Sequence, residues 1–275
     1  MSRPRTHILT AAQLRQEISA RNRMRAENLA HELSIGDSPS VIYQESEGGH
    51  GNFLPAAWRR IQANPAWKQR LAKVYTASRF VPRAADRRRF ELDCANSSDA
   101  LLMNVFCSPG VLRRREVCSL LAIEPGSQPE FGFRPGIPLN NGRIDRTEID
   151  MKLGTLFVEA KLTEGDFQRA PLRLLTRYRD FESVFDLNRL PGSGNSLESY
   201  QLLRGVLAAR AADASFLVLC DRRRPDLIER WFAVMQAVTD AALRTRLAVL
   251  TWQELAVALP RPLQRFLEEK YGIVG

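Results

Sequence analysis

One uninterrupted stretch, Ser215-Phe216-Leu217-Val218-Leu219-Cys220, limits what this chain can fold into more than any other. A continuous apolar run of that length is typical of a strand buried on both faces, which requires a sheet with layers packed above and below it. Residues 247–250 form a second such run, and residues 224–243 between them have the spacing of an amphipathic helix. Upstream, residues 143–151 and 155–163 read as two strands about a turn at Leu153-Gly154. Helical patterns occupy residues 171–187 and 197–210, separated by the loop Pro191-Gly192-Ser193-Gly194-Asn195, and helices at 251–259 and 262–271 close the chain. This order of elements predicts an α/β three-layer domain, a mixed central β-sheet flanked by helices.

The N-terminal part adds helices. Residues 10–33 are helical in pattern and strongly charged, with Leu14, Ile18 and Leu29 as sparse apolar points, which fits a surface helix or partner-binding arm. Residues 47–52 (Glu-Gly-Gly-His-Gly-Asn) form a loop without phosphate-cradle spacing, and residues 55–60 and 65–75 read as short helices begun by proline. Two further helical segments lie in residues 96–121, with Ser97 or Ser98 placed to cap the first and Ser108-Pro109-Gly110 dividing them. We expect residues 1–95 to form a helical N-terminal extension packed on a core of residues 96–275.

A formal charge of +9 favours an anionic partner, nucleic acid foremost, because Lys and Arg that neutralise phosphates release counterions. Only Lys68, Lys73, Lys152, Lys161 and Lys270 among the 40 basic residues are lysine, a skew that genome composition alone could produce. The arginines cluster at Arg21/Arg23/Arg25, Arg59-Arg60, Arg87-Arg88-Arg89, Arg113-Arg114-Arg115 and Arg222-Arg223-Arg224. No run of about 18 apolar residues exists and the N-terminus lacks a secretory signal, so the expected place is the cytoplasm, away from membranes. Cys94, Cys107, Cys118 and Cys220 show no paired or zinc-ligand spacing and read as buried reduced thiols.

Chemistry concentrates in residues 147–161, Thr-Glu-Ile-Asp-Met-Lys-Leu-Gly-Thr-Leu-Phe-Val-Glu-Ala-Lys. Leu156, Val158 and Ala160 alternate with Phe157, Glu159 and Lys161, which puts two charges on one face of an otherwise buried strand. A two- or four-residue turn centred on Leu153-Gly154 would set Asp150 opposite Phe157, on that same face and diagonal to Glu159; a three-residue connection would throw it to the other side. Two carboxylates and a main-chain carbonyl, here that of Ala160, suffice to anchor Mg²⁺, which prefers hard oxygen ligands and keeps several waters. Glu268-Glu269-Lys270 is a second Glu-x-Lys match, but its helical setting reads as a solvated face.

Asp150, Glu159 and Lys161 resemble the Asp…(Asp/Glu)-x-Lys signature of the PD-(D/E)XK, or restriction-endonuclease-like, nucleases, with Ile149 where the nominal proline would stand. The resemblance implies a metal-dependent nuclease core over residues 96–275, using Mg²⁺ with Mn²⁺ as a substitute, acting on nucleic acid and DNA above all. In that reading Asp150 and Glu159 hold the ion and Lys161 assists the attacking water. It also implies an acid from the first core helix, for which Asp99 is placed by order and Glu116 is the alternative. Tyr200, Gln201 and Arg204 are similar to the Gln/Tyr motif of RecB-type nucleases and are candidate substrate contacts, though here the order is Tyr-Gln-x-x-Arg. The segments around His50–Pro55, Asn96–Leu101 and Tyr200–Arg204 together resemble a bacterial restriction-endonuclease-like group.

The competing reading is a catalytically inactive nucleic-acid-binding module of the same fold, which the missing proline would favour and the intact triad opposes. A serine hydrolase centred on Ser193 lacks the strand-to-helix elbow that exposes such a nucleophile. Cutting both strands of a duplex from one site per chain would be simplest for a two-fold homodimer.

Overall fold

In a computed structural model, residues 8–34, 39–74 and 89–275 are described, and the chain groups into two compact units. One comprises Leu9–Pro129 with Trp252–Gly275, the other Glu130–Thr251. Arg87, Arg88 and Tyr75, the last at the end of the helix expected over residues 65–75, lie outside the described residues. No helix among the described residues is long and apolar enough to cross a membrane. The four cysteines are buried free thiols, as their spacing indicated.

The first unit is mainly helical. Helix α1 (Ala11–Ala26) begins at Thr10, whose side chain accepts from the Gln13 amide while Gln13 reaches back to the Thr10 N–H, a reciprocal capping box. The segment expected to be helical as far as residue 33 turns into a short strand at His31–Leu33, paired with Val41–Tyr43. Nor is α1 only a surface arm: Leu14, Ile18 and Ala26 are fully buried, and the helix packs on Arg261–Tyr271 at the far end of the chain. Helices α2 (Pro55–Ala63), α3 (Pro65–Arg70), α4 (Ser98–Phe106) and α5 (Arg115–Leu121) complete this part, with prolines at the first position of α2 and α3 and Ser97 capping α4. The residues 47–52 loop contains the turn of a small hairpin, Glu45–Ser46 with Gly49–His50.

Sequence reasoning placed Lys270 on a solvated face, and the structure overturns that. Glu268 and Glu269 are exposed, but Lys270 is fully buried: its Nζ donates to Asn22 Oδ1 at 2.7 Å and lies 4.7 and 4.8 Å from the Tyr43 and Tyr271 ring centres. The helix spacing puts it on the inner stripe with Leu263, Phe266 and Leu267, a three-to-four-residue periodicity that the charge run obscured. Burial, with the Arg25 guanidinium adding to it, drives the Lys270 ammonium well below its ordinary value. Between that lowered value and 10.5 the folded chain holds fewer protons here than the unfolded one, so this group makes stability rise with pH. Tyr43, pushed up to about 12, and Tyr271, raised by burial, act in the opposite sense above pH 10. Melting temperatures measured against pH should therefore climb toward pH 10. In Lys270→Met, which leaves Asn22 Oδ1 bonded to the Tyr43 hydroxyl, the climb should flatten.

The second unit carries the sheet. Its strands are β1 (Pro129–Phe133), β2 (Ile149–Leu153), β3 (Leu156–Ala160), β4 (Ser215–Cys220) and β5 (Leu247–Thr251), in the spatial order β5-β4-β3-β2-β1. β4 runs parallel to both β3 and β5, and β2 is antiparallel to β3, so the sheet is mixed. Helices α6 (Tyr200–Ala211) and α7 (Pro225–Ala237) pack against it. Phe157, Phe216, Val218 and Cys220 from the strands meet Leu203, Val206, Leu227 and Trp231 from those helices in one buried cluster. The approach of α6 is close: a Cβ at Gly205 would lie 2.2 Å from the Phe216 ring, so only glycine fits there. The architecture is the α/β, mixed-sheet arrangement flanked by helices that the element order predicted.

Two stretches differ from their sequence patterns. Residues 171–187 hold only two single-turn helices, Leu172–Leu175 and Phe181–Val184, because Tyr178 between them is drawn into the interior. Helix α6 starts at Tyr200 rather than 197 because Ser196–Glu198 pairs as a strand with Arg169–Pro171.

Candidate active site

Strands β2 and β3 are joined by a two-residue turn, Gly154-Thr155, in which Gly154 has φ +57° as the first turn position of a tight hairpin favours. Leu153 pairs with Leu156, Lys152 with Phe157 and Met151 with Val158. The turn thus lies one residue later than expected, and continuing the ladder sets Asp150 opposite Glu159 instead of Phe157. The parity that matters is kept, since Asp150, Phe157, Glu159 and Lys161 share a face.

Asp150 Oδ2 accepts a 2.8 Å hydrogen bond from the Ala160 amide across the hairpin. Glu159 and Lys161 are 4% and 5% exposed, and Lys161 Nζ donates to Glu159 Oε1 at 2.8 Å. Neither charge could sit there alone, because an uncompensated buried ion costs several kcal/mol, on the order of 3–5 when a pair is broken. Lys161 is fixed at its main chain as well, its amide donating to the Leu219 carbonyl of β4 at 2.8 Å. Burial by itself would lower the Lys161 ammonium; Glu159, then Glu164 and Asp150, reverse this and hold it above its ordinary value. These carboxylates therefore favour its charged form.

Glu164 is a member of this charge group that the sequence did not single out. Its Oε2 accepts from the Leu162 amide at 2.6 Å, and the loop carrying it is gripped by Arg224, which donates to the Glu164 and Gly165 carbonyls at 2.8 and 3.2 Å and to Asp226. Arg223 similarly forks onto the fully buried Asp221. Two arginines of the Arg222-Arg223-Arg224 cluster therefore hold the chain itself.

From α6, Arg204 is 8% exposed and donates through Nη2 to the Glu148 carbonyl at 3.2 Å, two residues before Asp150. Its guanidinium lies 5.4 Å from the Tyr200 ring centre. The Tyr200 and Tyr178 hydroxyls are 3.1 Å apart, and Tyr178 donates to Asp145 Oδ2 at 2.5 Å. Burial would raise the Asp145 carboxyl, but the hydrogen bonds from Thr147 and Tyr178 keep it below the usual range. Tyr200 and Arg204 thus brace the segment leading into β2, while Gln201 is half-buried and its amide donates to the Phe167 carbonyl at 3.0 Å. Tyr178 and Asp145 carry no spacing that a sequence could have revealed.

Asp99, the acid expected from the first core helix, belongs to the helical unit. It is 3% exposed and accepts from Lys73 Nζ at 2.6 Å and Arg70 Nη2 at 2.9 Å. Glu116, the alternative, lies in the first turn of α5, 3.8 Å from Arg114.

Against this geometry, a family model described as restriction endonuclease associating with ARP matches residues 11–272. The chain belongs to this family. No curated protein and no solved structure matches it. Membership places the chain in a restriction-endonuclease-like family, whose activity is that of a nuclease and whose substrate is nucleic acid. Such nucleases usually use divalent ions, and the donor set at the β2–β3 hairpin fits one. Among the described residues no group of three or more His, Cys, Asp or Glu side chains is placed to hold a metal ion. The carboxylates of Glu159, Glu164 and Asp150 all act on the Lys161 ammonium.

Proposed function

We propose that this chain is a Mg²⁺-dependent phosphodiesterase that cleaves DNA at Asp150, Glu159 and Lys161. The observation that carries the reading is the hairpin register, which opposes Asp150 to Glu159 and keeps Lys161 on the same face, bonded to Glu159 at 2.8 Å. Asp150 and Glu159 are the side chains that would hold the ion, with Ala160 offering its carbonyl. When bound, Mg²⁺ supplies Lewis acidity at the scissile phosphate and lowers the pKa of a coordinated water.

The protein's own groups do the rest. Lys161, a fixed cation, orients the attacking water and stabilises the charge that grows on the phosphate oxygens. Glu159, Glu164 and Asp150 favour its charged form. Arg204 fixes the Glu148 carbonyl and so holds the Asp150 end of β2 in place. Incubating supercoiled plasmid and labelled single strands with Mg²⁺, Mn²⁺ or EDTA tests the reading. Cutting with either ion and none with EDTA is expected; binding without cutting under every condition would instead support an inactive nucleic-acid-binding module.

A further inference from the structure

Two sets of four arginines in the sheet unit contrast. Arg189, Arg210, Arg230 and Arg246 each face an acid, Asp186, Asp240, Glu198 and Asp213 respectively. Arg143, Arg146, Arg173 and Arg177 are exposed, and their side chains make no ion pair or hydrogen bond among the described residues. These four lie on two segments that the fold joins. The hairpin of Ile137–Pro138 with Ile144–Asp145 carries Arg143 in its turn and Arg146 just beyond it. It is bound to residues 176–179 by the Asn140 amide on the Arg177 carbonyl, the Asn140 side chain on the Thr176 carbonyl and the Arg179 amide on the Pro138 carbonyl. Leu139 bridges to Tyr178 as in a sheet. Arg143 and Arg177 are therefore about two strand spacings apart, roughly 10 Å along the backbone.

Basic residues outnumber acids on these two segments. Residues 139–147 contain a single acid, Asp145, whose oxygens are taken by Thr147 and Tyr178, and residues 169–179 contain none. An open cavity of about 350 Å³ is lined by Pro171, Arg173, Leu174 and Arg177. The same braces that join the two segments also lead into the site: Arg146 stands four residues before Asp150, and Arg204 pins the Glu148 carbonyl between them.

We infer that Arg143, Arg146, Arg173 and Arg177 form the track on which the sugar-phosphate backbone of the nucleic acid substrate lies, binding by charge without reading bases. The inference rests on the proposed nuclease reading and names where its substrate docks. Guanidinium groups present planar donor forks that match phosphate oxygens, and no carboxylate among the described residues is ion-paired with these four. A backbone-only contact also predicts that binding depends steeply on salt and weakly on sequence.

The test measures binding of short labelled DNA duplexes and single strands across a salt series, in Asp150→Asn protein without divalent ions so that nothing is cut. Replacing all four track arginines by glutamine should weaken binding about tenfold or more and lower the slope of log affinity against log salt by about 0.9 per arginine for duplex, or about 0.7 for single strands. The same substitution at Arg189, Arg210, Arg230 and Arg246 changes net charge equally and should leave the slope near that of the parent. Equal slopes and affinities for the track variant and the parent overturn the inference, as does equal loss in both variants. The nuclease reading is scored separately on protein with Asp150 intact. Cutting with an unaltered salt slope in the track variant retains the enzyme and rejects the track, whereas track-dependent binding without any cutting does the reverse.

Discussion

Asp150→Asn should fold as the parent does and cleave nucleic acid roughly 10²- to 10⁴-fold more slowly in Mg²⁺. The amide oxygen of asparagine can still accept from Ala160 N–H, so the hairpin keeps its bond and only the charge is lost. Glu159→Gln should give a loss of the same order, with its side-chain oxygen still accepting from Lys161. Lys161 is the more telling position. Lys161→Gln retains a donor toward Glu159 but removes the fixed cation, and its loss should appear in kcat rather than KM if the ammonium acts on developing charge. Lys161→Met leaves Glu159, 4% exposed, without its partner and should also lower stability by about 3–5 kcal/mol. Single-turnover cleavage rates alongside thermal melts separate the two effects. A Lys161→Gln protein that cuts at the parental rate would remove lysine from the proposed mechanism.

Asp99→Ala should destabilise the helical unit by about 3–5 kcal/mol, because it removes the carboxylate, only 3% exposed, on which Arg70 and Lys73 converge. Burial by itself would raise Asp99; Lys73 and then Arg70 hold it below the ordinary carboxylate range. The sign of the pH dependence follows. With its folded pKa depressed, Asp99 contributes stability that is present above the unfolded value near pH 4 and is lost as pH falls through the folded one. Glu91, raised by its burial and by Asp99, works against this at neutral pH. Urea unfolding of the parent and Asp99→Asn between about pH 3 and 7 should show a shallower acid loss in the variant. If Asp99→Ala instead melts like the parent but cuts poorly, the residue serves the chemistry and not the ion network.

The strands that hold the site were legible because their residues announce burial directly. The run at β4 has no polar interruption before its end, and the alternation in β3 puts Glu159 and Lys161 on one face whichever residue begins the turn. What sequence could not supply was the partner of each charge. Asp99 looks like a helix-start acid until Arg70 and Lys73 are brought to it from 29 and 26 residues away. Lys270 looks solvated until Asn22, 248 residues distant, is placed against it. The helical spacing of residues 171–187 was real but lost to tertiary contacts, the Tyr178 hydroxyl being captured by Asp145 and the main chain diverted toward Pro138. Local pattern sets which elements form; long-range pairing decides which of their polar groups remain for function.

The two-residue connection between β2 and β3 has a consequence for how this enzyme can vary. Adding a single residue within β2 between Asp150 and the turn, with the turn held at two residues, would carry Asp150 to the opposite face of the sheet from Glu159 while deleting none of the groups proposed to perform the chemistry. On the proposed reading, the register of this hairpin is therefore itself a catalytic parameter. A survey of natural or engineered variants that scores only the identities of the acidic and basic residues would count such a chain as intact, although its carboxylates could no longer meet.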